Sequence, residues 1–308
     1  MAVIHYFFKL IRWQNLLMMA LVQCLIKFAL FIPEFGVETT LNWYGFALLV
    51  LATLCIAAAG YIINDIYDVE ADIINKPNKL IIDRHISNKT AFNWYLFLNV
   101  AGVVLGYVMA NTVDKSGFFM LFIILSALLY VYASYLKYTL LLGNIVVALL
   151  VSSSLLIVGL FELLPVLTPE NRNTQLTVFK ILLDYAIFAF LLNLIRELIK
   201  SIEDIDGDYK AGARSLPIVM GRDRATRIVF VLSFLPVAAV IYYMLTYLYK
   251  QPIALIYFLI TVLAPLIYGS IQLFSAERKA QFNKLSKLYK LIMLFGMLSL
   301  LLYKFILT

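Results

Sequence analysis

The chain has 308 residues, 63% of them hydrophobic and 14% charged, with a mean hydropathy of +0.92. Soluble domains are about 45–50% apolar and about 25% charged, so a water-soluble globular protein is excluded and a polytopic membrane protein is expected. The formal charge of +7 then reflects topology and anionic lipid rather than nucleic acid, and Cys24 and Cys55 supply neither a disulfide framework nor a metal spacing.

A membrane-crossing helix needs about 20 mostly apolar residues. Runs of that kind lie at about 11–33, 41–66, 90–112, 117–136, 139–163, 179–202, 226–249, 252–275 and 288–307. The expected fold class is therefore all-α, with nine transmembrane helices in one bundle around a central cavity and a single domain over residues 1–308. The first run follows Lys9 and Arg12 and is too long for a signal-peptide core, so it reads as the first membrane helix. Lys27, inside that run, is expected to snorkel to the nearer interface. Pro236 and Pro265 predict kinks in helices seven and eight, and Gly60 and Gly106 predict close helix packing.

The basic residues set the orientation. With a cytoplasmic N-terminus, nineteen Lys and Arg fall on the inner side, from Lys9 to Lys290. Five fall on the other: Lys115, Arg172, Lys180, Lys250 and Lys304.

Helix two ends in Asn64-Asp65-Ile66-Tyr67-Asp68-Val69-Glu70-Ala71-Asp72, and helix six in Glu203-Asp204-Ile205-Asp206-Gly207-Asp208. Eight of the eighteen acidic residues lie in these two segments, both on the cytoplasmic face by the count above. On one continuous helix, Asp65, Asp68 and Asp72 project within about 60° of one another. The same reading leaves Asp206 outside the group and makes Gly207 a possible helix stop. The recurrence four helices apart suggests two four-helix repeats plus one.

Carboxylates this close repel unless a cation joins them. Asp65, Asp68 and Asp72 facing Asp204 and Asp208 suit a hard, oxygen-preferring ion, and the only histidines, His5 and His85, lie elsewhere, so Mg²⁺ is expected rather than zinc or iron. Lys76, Lys79 and Arg84 follow the first cluster, while Arg196 and Lys200 precede the second at helical spacing. Metal-holding carboxylates with adjacent bases are what a diphosphate needs. Lys137, closing helix four, is either a further phosphate ligand or a positive-inside anchor. Asn15 either contacts substrate or bonds a neighbouring helix.

At these residues the chain resembles the UbiA family of intramembrane prenyltransferases. Asn64-Asp65-x-x-Asp68-x-x-x-Asp72 with Asn75-Lys76-Pro77-x-Lys79 is similar to the family's first motif, and Asp204-x-x-x-Asp208-x-x-x-Gly212 to its second. Tyr132 to Lys137, with Gly143-Asn144, is similar to the stretch closing helix four; Arg12 and Asn15 match residues of helix one. The resemblance implies Mg²⁺-dependent transfer of a polyprenyl group from its diphosphate to a lipophilic acceptor through an allylic carbocation. It implies Asp65, Asp68, Asp72, Asp204 and Asp208 as metal ligands, and Asn64, Lys76, Lys79, Lys137, Arg196 and Lys200 around the diphosphate. Arg12, Asn15, Tyr132 and Asn144 would face the acceptor.

The run from Arg196 to Asp208 is most similar to the geranylgeranylglycerol-phosphate geranylgeranyltransferase branch. Ser201 stands where that branch has aspartate, Lys79 where it has arginine, and Leu80-Ile81-Ile82-Asp83 departs from the usual run. A hydroxybenzoate or dihydroxynaphthoate acceptor therefore stays open. An ion carrier is the competing class, but carriers place their sites near the midplane on interrupted helices. The D-G-x-x-A-R signature of CDP-alcohol phosphatidyltransferases is absent.

Overall fold

The protein is described from a computed structural model covering residues 2–31 and 35–303; the side chain of Lys79 and all of Lys304 lie outside the described residues. Nine membrane-length helices are found among the described residues: α1 (Trp13–Leu30), α2 (Trp43–Tyr67), α3 (Asn88–Thr112), α4 (Ser116–Ser134), α5 (Leu142–Leu163), α6 (Arg172–Glu203), α7 (Arg222–Leu248), α8 (Pro252–Phe274) and α9 (Lys279–Leu302). A short helix, Ala2–Leu10, precedes α1. Two more, Val69–Asn75 and Ile205–Lys210, follow α2 and α6.

Local chemistry sets several of these boundaries. The Asn42 side chain caps α2 by accepting from the Gly45 amide at 2.9 Å, and Ser87 caps α3 by accepting from Thr90 N at 3.2 Å. Pro252 opens α8, where its missing N–H costs nothing. Inside helices the prolines act as expected. Pro236 cannot donate to Leu232, and α7 is interrupted at Ser233. Pro265 is preceded by a π-helical turn, Leu259–Leu263.

The predicted glycine contacts are present. A Cβ on Gly60 would lie 2.7 Å from Leu129 Cδ2, and one on Gly106 would overlap the Phe122 ring, so both glycines let α4 pack against its neighbours.

Two expectations fail. The apolar run predicts the ninth helix over about 288–307, but α9 begins at Lys279. Its first turns bury Phe282, Leu285 and Tyr289 on one face and carry Gln281, Lys284 and Lys287 on others, a pattern too polar for a simple apolar window. Lys290 consequently sits about 16 Å along the helix rather than at its end.

Lys27 does not snorkel. It donates to Glu162 Oε2 at 2.8 Å and to the Leu41 carbonyl at 2.8 Å, with 9% of the lysine side chain exposed and 0% of the glutamate. Glu162 also accepts from Leu41 N at 3.1 Å, so the pair ties α1, the start of α2 and α5 together at the end away from the acidic clusters. Proximity to an opposite charge made a buried pair the better partner for the ammonium than a distant interface. Replacing Lys27 with Met strands a buried carboxylate and should cost about 3–5 kcal/mol. The Lys27→Met/Glu162→Met double variant should recover most of that loss in thermal unfolding followed in detergent.

Candidate active site

The two acidic clusters meet. Asn75, closing the helix after α2, donates its Nδ2 to the Asp204 carbonyl at 2.8 Å and to Asp208 Oδ1 at 3.4 Å, while its Oδ1 accepts from Gly207 N at 3.0 Å. A Cβ at position 207 would lie 2.5 Å from the Ala71 carbonyl and overlap the Asn75 amide. Gly207 is therefore the point of closest approach and not a helix stop, since Ile205–Lys210 runs through it. Lys279, starting α9, donates to the Asn75 carbonyl at 3.0 Å and fastens a third element to the junction.

Each cluster turns at an aspartate. Asp68 (φ −92°, ψ −1°) joins α2 to Val69–Asn75, and Asp204 (φ −97°, ψ 9°) joins α6 to Ile205–Lys210. Both lie in the sparsely populated bridge region, and neither carboxylate caps the helix that follows. The side chains are thus free to face inward. Hydrogen bonds still cross both turns, Asp72 N to Asp68 O at 2.8 Å and Asp208 N to Asp204 O at 3.2 Å. The first cluster is consequently not the single straight helix that the sequence suggested.

The turns open onto a cavity of about 250 Å³ between α1, α2, α4, α5 and α6. Asn64, Asp68, Lys76, Lys137, Arg196, Lys200, Asp204 and Asp208 line it, as do Arg12, Asn15, Tyr132 and Asn144. Asp65 and Asp72 do not. Asp65 instead accepts from Arg12 at 2.7 Å, and Asp72 lies 3.4 Å from Lys76. Arg12 makes that contact from a left-handed backbone (φ 52°), a strained conformation for a residue with a side chain. Asp206 pairs with Arg222 at 3.6 Å outside the cavity, and its side chain is 69% exposed.

The bases already grip the carboxylates. Lys137 lies 2.6 Å from Asp68 Oδ1, and Lys76 lies 3.0 Å from Asp204 Oδ2, bridging the clusters. Burial opposes the Lys76 charge, but Asp204 and Asp72 outweigh it and hold the ammonium above the ordinary lysine range. Gly143 lets Lys137 come close, because a Cβ there would lie 2.8 Å from the Leu136 carbonyl. Among the described residues no three His, Cys, Asp or Glu side chains form a chelating group. Of the five aspartates, Asp68, Asp204 and Asp208 line the cavity, while Asp65 and Asp72 are engaged by Arg12 and Lys76.

The residues at the turns nevertheless fit a hard cation. Asp204 Oδ1 and Asn64 Oδ1 are buried acceptors without a donor. Burial, then Asp204 and Asp68, push the Asp208 carboxyl up to about 7. Oxygen acceptors that lack donors and repel one another are relieved by a divalent ion.

Sequence reasoning missed Tyr138, Asn193 and Glu197, which also line the cavity. Tyr138 donates to the Tyr67 carbonyl at 3.2 Å, and burial with Asp68 and Asp208 nearby pushes its hydroxyl up to about 12. Its place directly after Lys137 was the available signal. Glu197 accepts from Arg196 Nη1 at 2.6 Å.

The family model of the UbiA prenyltransferase family matches residues 20–294. This chain belongs to that family. Among curated relatives, the UbiA prenyltransferase described here is 30% identical over 258 residues to digeranylgeranylglyceryl phosphate synthase of Methanosphaera stadtmanae, covering 82% of this chain and 86% of the relative. It is 31% identical over 266 residues to the protein of the same name from Korarchaeum cryptofilum, covering 83% and 86%. A solved structure described as digeranylgeranylglyceryl phosphate synthase in membranes superposes with a TM-score of 0.65 at 25% identity, over 98% of both chains. A UbiA homologue from Archaeoglobus fulgidus bound to GPP and Mg²⁺ shares the fold, with a TM-score of 0.58 at 16% identity over 96% of this chain and 99% of that one. The protein is thus an integral membrane prenyltransferase.

Two measurements check the geometry. Gly207→Ala overpacks the junction and should cost about 1–3 kcal/mol, whereas Gly117→Ala, with open space around it, should be near neutral in the same unfolding assay. A carboxyl that titrates near 7 in the fold and near 4 when unfolded binds its proton more tightly in the fold, so its contribution to stability declines as pH rises through that window. With chelator present, Asp208→Asn should flatten that part of the unfolding-temperature profile between about pH 4 and 7.

Proposed function

We propose that this prenyltransferase moves a geranylgeranyl group from its diphosphate to the free hydroxyl of geranylgeranylglycerol phosphate, forming an ether. One observation carries the reading. Asp68, Asp204 and Asp208, interleaved with Lys76, Lys137 and Lys200, crown a cavity whose deeper wall is Ile56, Leu125, Leu129 and Phe122. Charge gathers at the mouth and hydrocarbon below, which matches a prenyl diphosphate. The names of the curated relatives support the acceptor.

In this reading Asn64, Asp68, Asp204 and Asp208 would hold Mg²⁺, an ion with which the Archaeoglobus fulgidus homologue is described. Asp65 and Asp72 keep Arg12 and Lys76 in place. The ion, when bound, neutralises the diphosphate and favours its departure. Lys76, Lys137 and Lys200 take up the charge that grows on the leaving group as the C1–O bond breaks, with the bonding pair leaving on the diphosphate. Phe122 and Tyr132 are aromatic residues of the cavity lining available to stabilise the allylic cation, and the surrounding apolar wall keeps water from it. The acceptor hydroxyl, oriented by Asn15 and Asn144, forms the new C–O bond and loses its proton to the departing diphosphate. The chain acts as one domain in the cell membrane, its acidic end facing the cytoplasm, a reading that the lysine and arginine count supports.

Asp68→Asn and Asp204→Asn should stay folded in detergent yet lower Mg²⁺-dependent diphosphate release at least about a hundredfold. The assay uses labelled geranylgeranyl diphosphate and a panel of glycerol-phosphate, hydroxybenzoate and dihydroxynaphthoate acceptors. Full turnover in both variants removes the roles assigned to these residues. An aromatic product alone replaces the acceptor.

A further inference from the structure

A second cavity, of about 160 Å³, opens from the first between α1, α5, α6, α7, α8 and α9. The two share Asn15, Tyr61, Ser154, Asn193 and Arg196 in their walls. Most of the second is apolar, with Met18, Leu192, Val240, Phe258 and Val262 among its lining residues. It nevertheless carries two bases, Arg196 in the shared wall and Lys290 in the second cavity alone, and no carboxylate lines it among the described residues.

That charge pattern is the reverse of the acidic mouth. Arg12, Lys76 and Lys137 there each pair with an aspartate. Lys290 has no carboxylate partner among the described residues; its ammonium donates to the neutral Asn15 Oδ1 at 2.7 Å. Arg196 is held by Glu197 through Nη1, leaving its buried Nε without a partner. Asn193 is 4% exposed, lines both cavities, and has a buried Nδ2 with nothing to donate to. Each unmet group is a donor. A lysine that lines an apolar cavity is retained at a cost and gains from a partner.

We infer that Lys290, Arg196 and Asn193 form a second anion site, separate from the diphosphate cage, which takes the phosphate monoester of the acceptor while the second cavity holds the acceptor's hydrocarbon. The Asn15 carbonyl oxygen is displaced from Lys290 when the phosphate arrives. The acceptor's hydroxyl then points into the first cavity, toward the donor carbon. Lys290 is in this account a specificity residue that selects phosphorylated over neutral acceptors. The inference rests on the proposed acceptor class, and its test separates the two.

The full-length protein is assayed with geranylgeranyl diphosphate, Mg²⁺ and either geranylgeranylglycerol phosphate or its dephosphorylated form. Lys290→Gln should raise KM for the phosphorylated acceptor about tenfold or more and abolish the preference over the neutral one. KM for the donor should stay within about twofold, because donor contacts are untouched. Lys290→Arg should keep the preference. Equal losses with both acceptors, or a rise in the donor KM, overturn the inference by showing a structural or donor-binding role.

If neither glycerol acceptor is prenylated, the proposed function fails, and ligand protection against thermal unfolding in chelator decides the site independently. Octyl phosphate, but not octanol or 4-hydroxybenzoate, should stabilise the wild-type protein, and Lys290→Gln should lose that stabilisation. Equal protection of both proteins, or protection by 4-hydroxybenzoate instead, overturns the phosphate site.

Discussion

The amide of Asn75 against the backbone of Gly207 is the contact from which the rest of the site follows. Two acidic segments, 129 residues apart between Asn75 and Asp204, would drift apart under their own repulsion. Asn75 counters this with three hydrogen bonds to the second segment, and the missing Cβ at position 207 lets the backbones touch. Lys76, the next residue along, is delivered between Asp72 and Asp204 as a consequence. The dihedral angles shared by Asp68 and Asp204 then turn both carboxylates toward the same space. A neutral amide and a glycine thus decide where the charged residues stand.

Electrostatically the interior is graded rather than uniform. The mouth holds carboxylates gripped by bases, the boundary between cavities holds donors in excess, and the depth is hydrocarbon. A low local dielectric makes these differences large, since an unpaired buried group cannot fall back on water. Two amphiphiles with anionic heads can be sorted by such a gradient: one head demands a metal and the other only donors. Their tails need little discrimination.

Much of this was legible in the chain. Long apolar runs gave the helix count because a bilayer demands them, and the acid at the ends of helices two and six stood out against a basic background. Distance was not legible. Nothing near Lys27 names Glu162, 135 residues away, so a lone lysine read as an interface anchor. Lys290 was hidden by an amphipathic helix whose early turns are too polar for a hydropathy window. Asp65 and Asp72 kept helical register with Asp68, but the backbone turn at Asp68 and the pull of Arg12 and Lys76 took them off the cavity wall. Spacing predicts which side chains share a face, not which of them a partner claims.

The Lys27–Glu162 pair bears on how the protein is made. The first helix enters the bilayer carrying an ammonium whose counterion lies near the end of the fifth, and until that helix arrives the charge must be tolerated in lipid or kept near water. The buried partner of the first helix's lysine is therefore supplied only when the fifth span is in place.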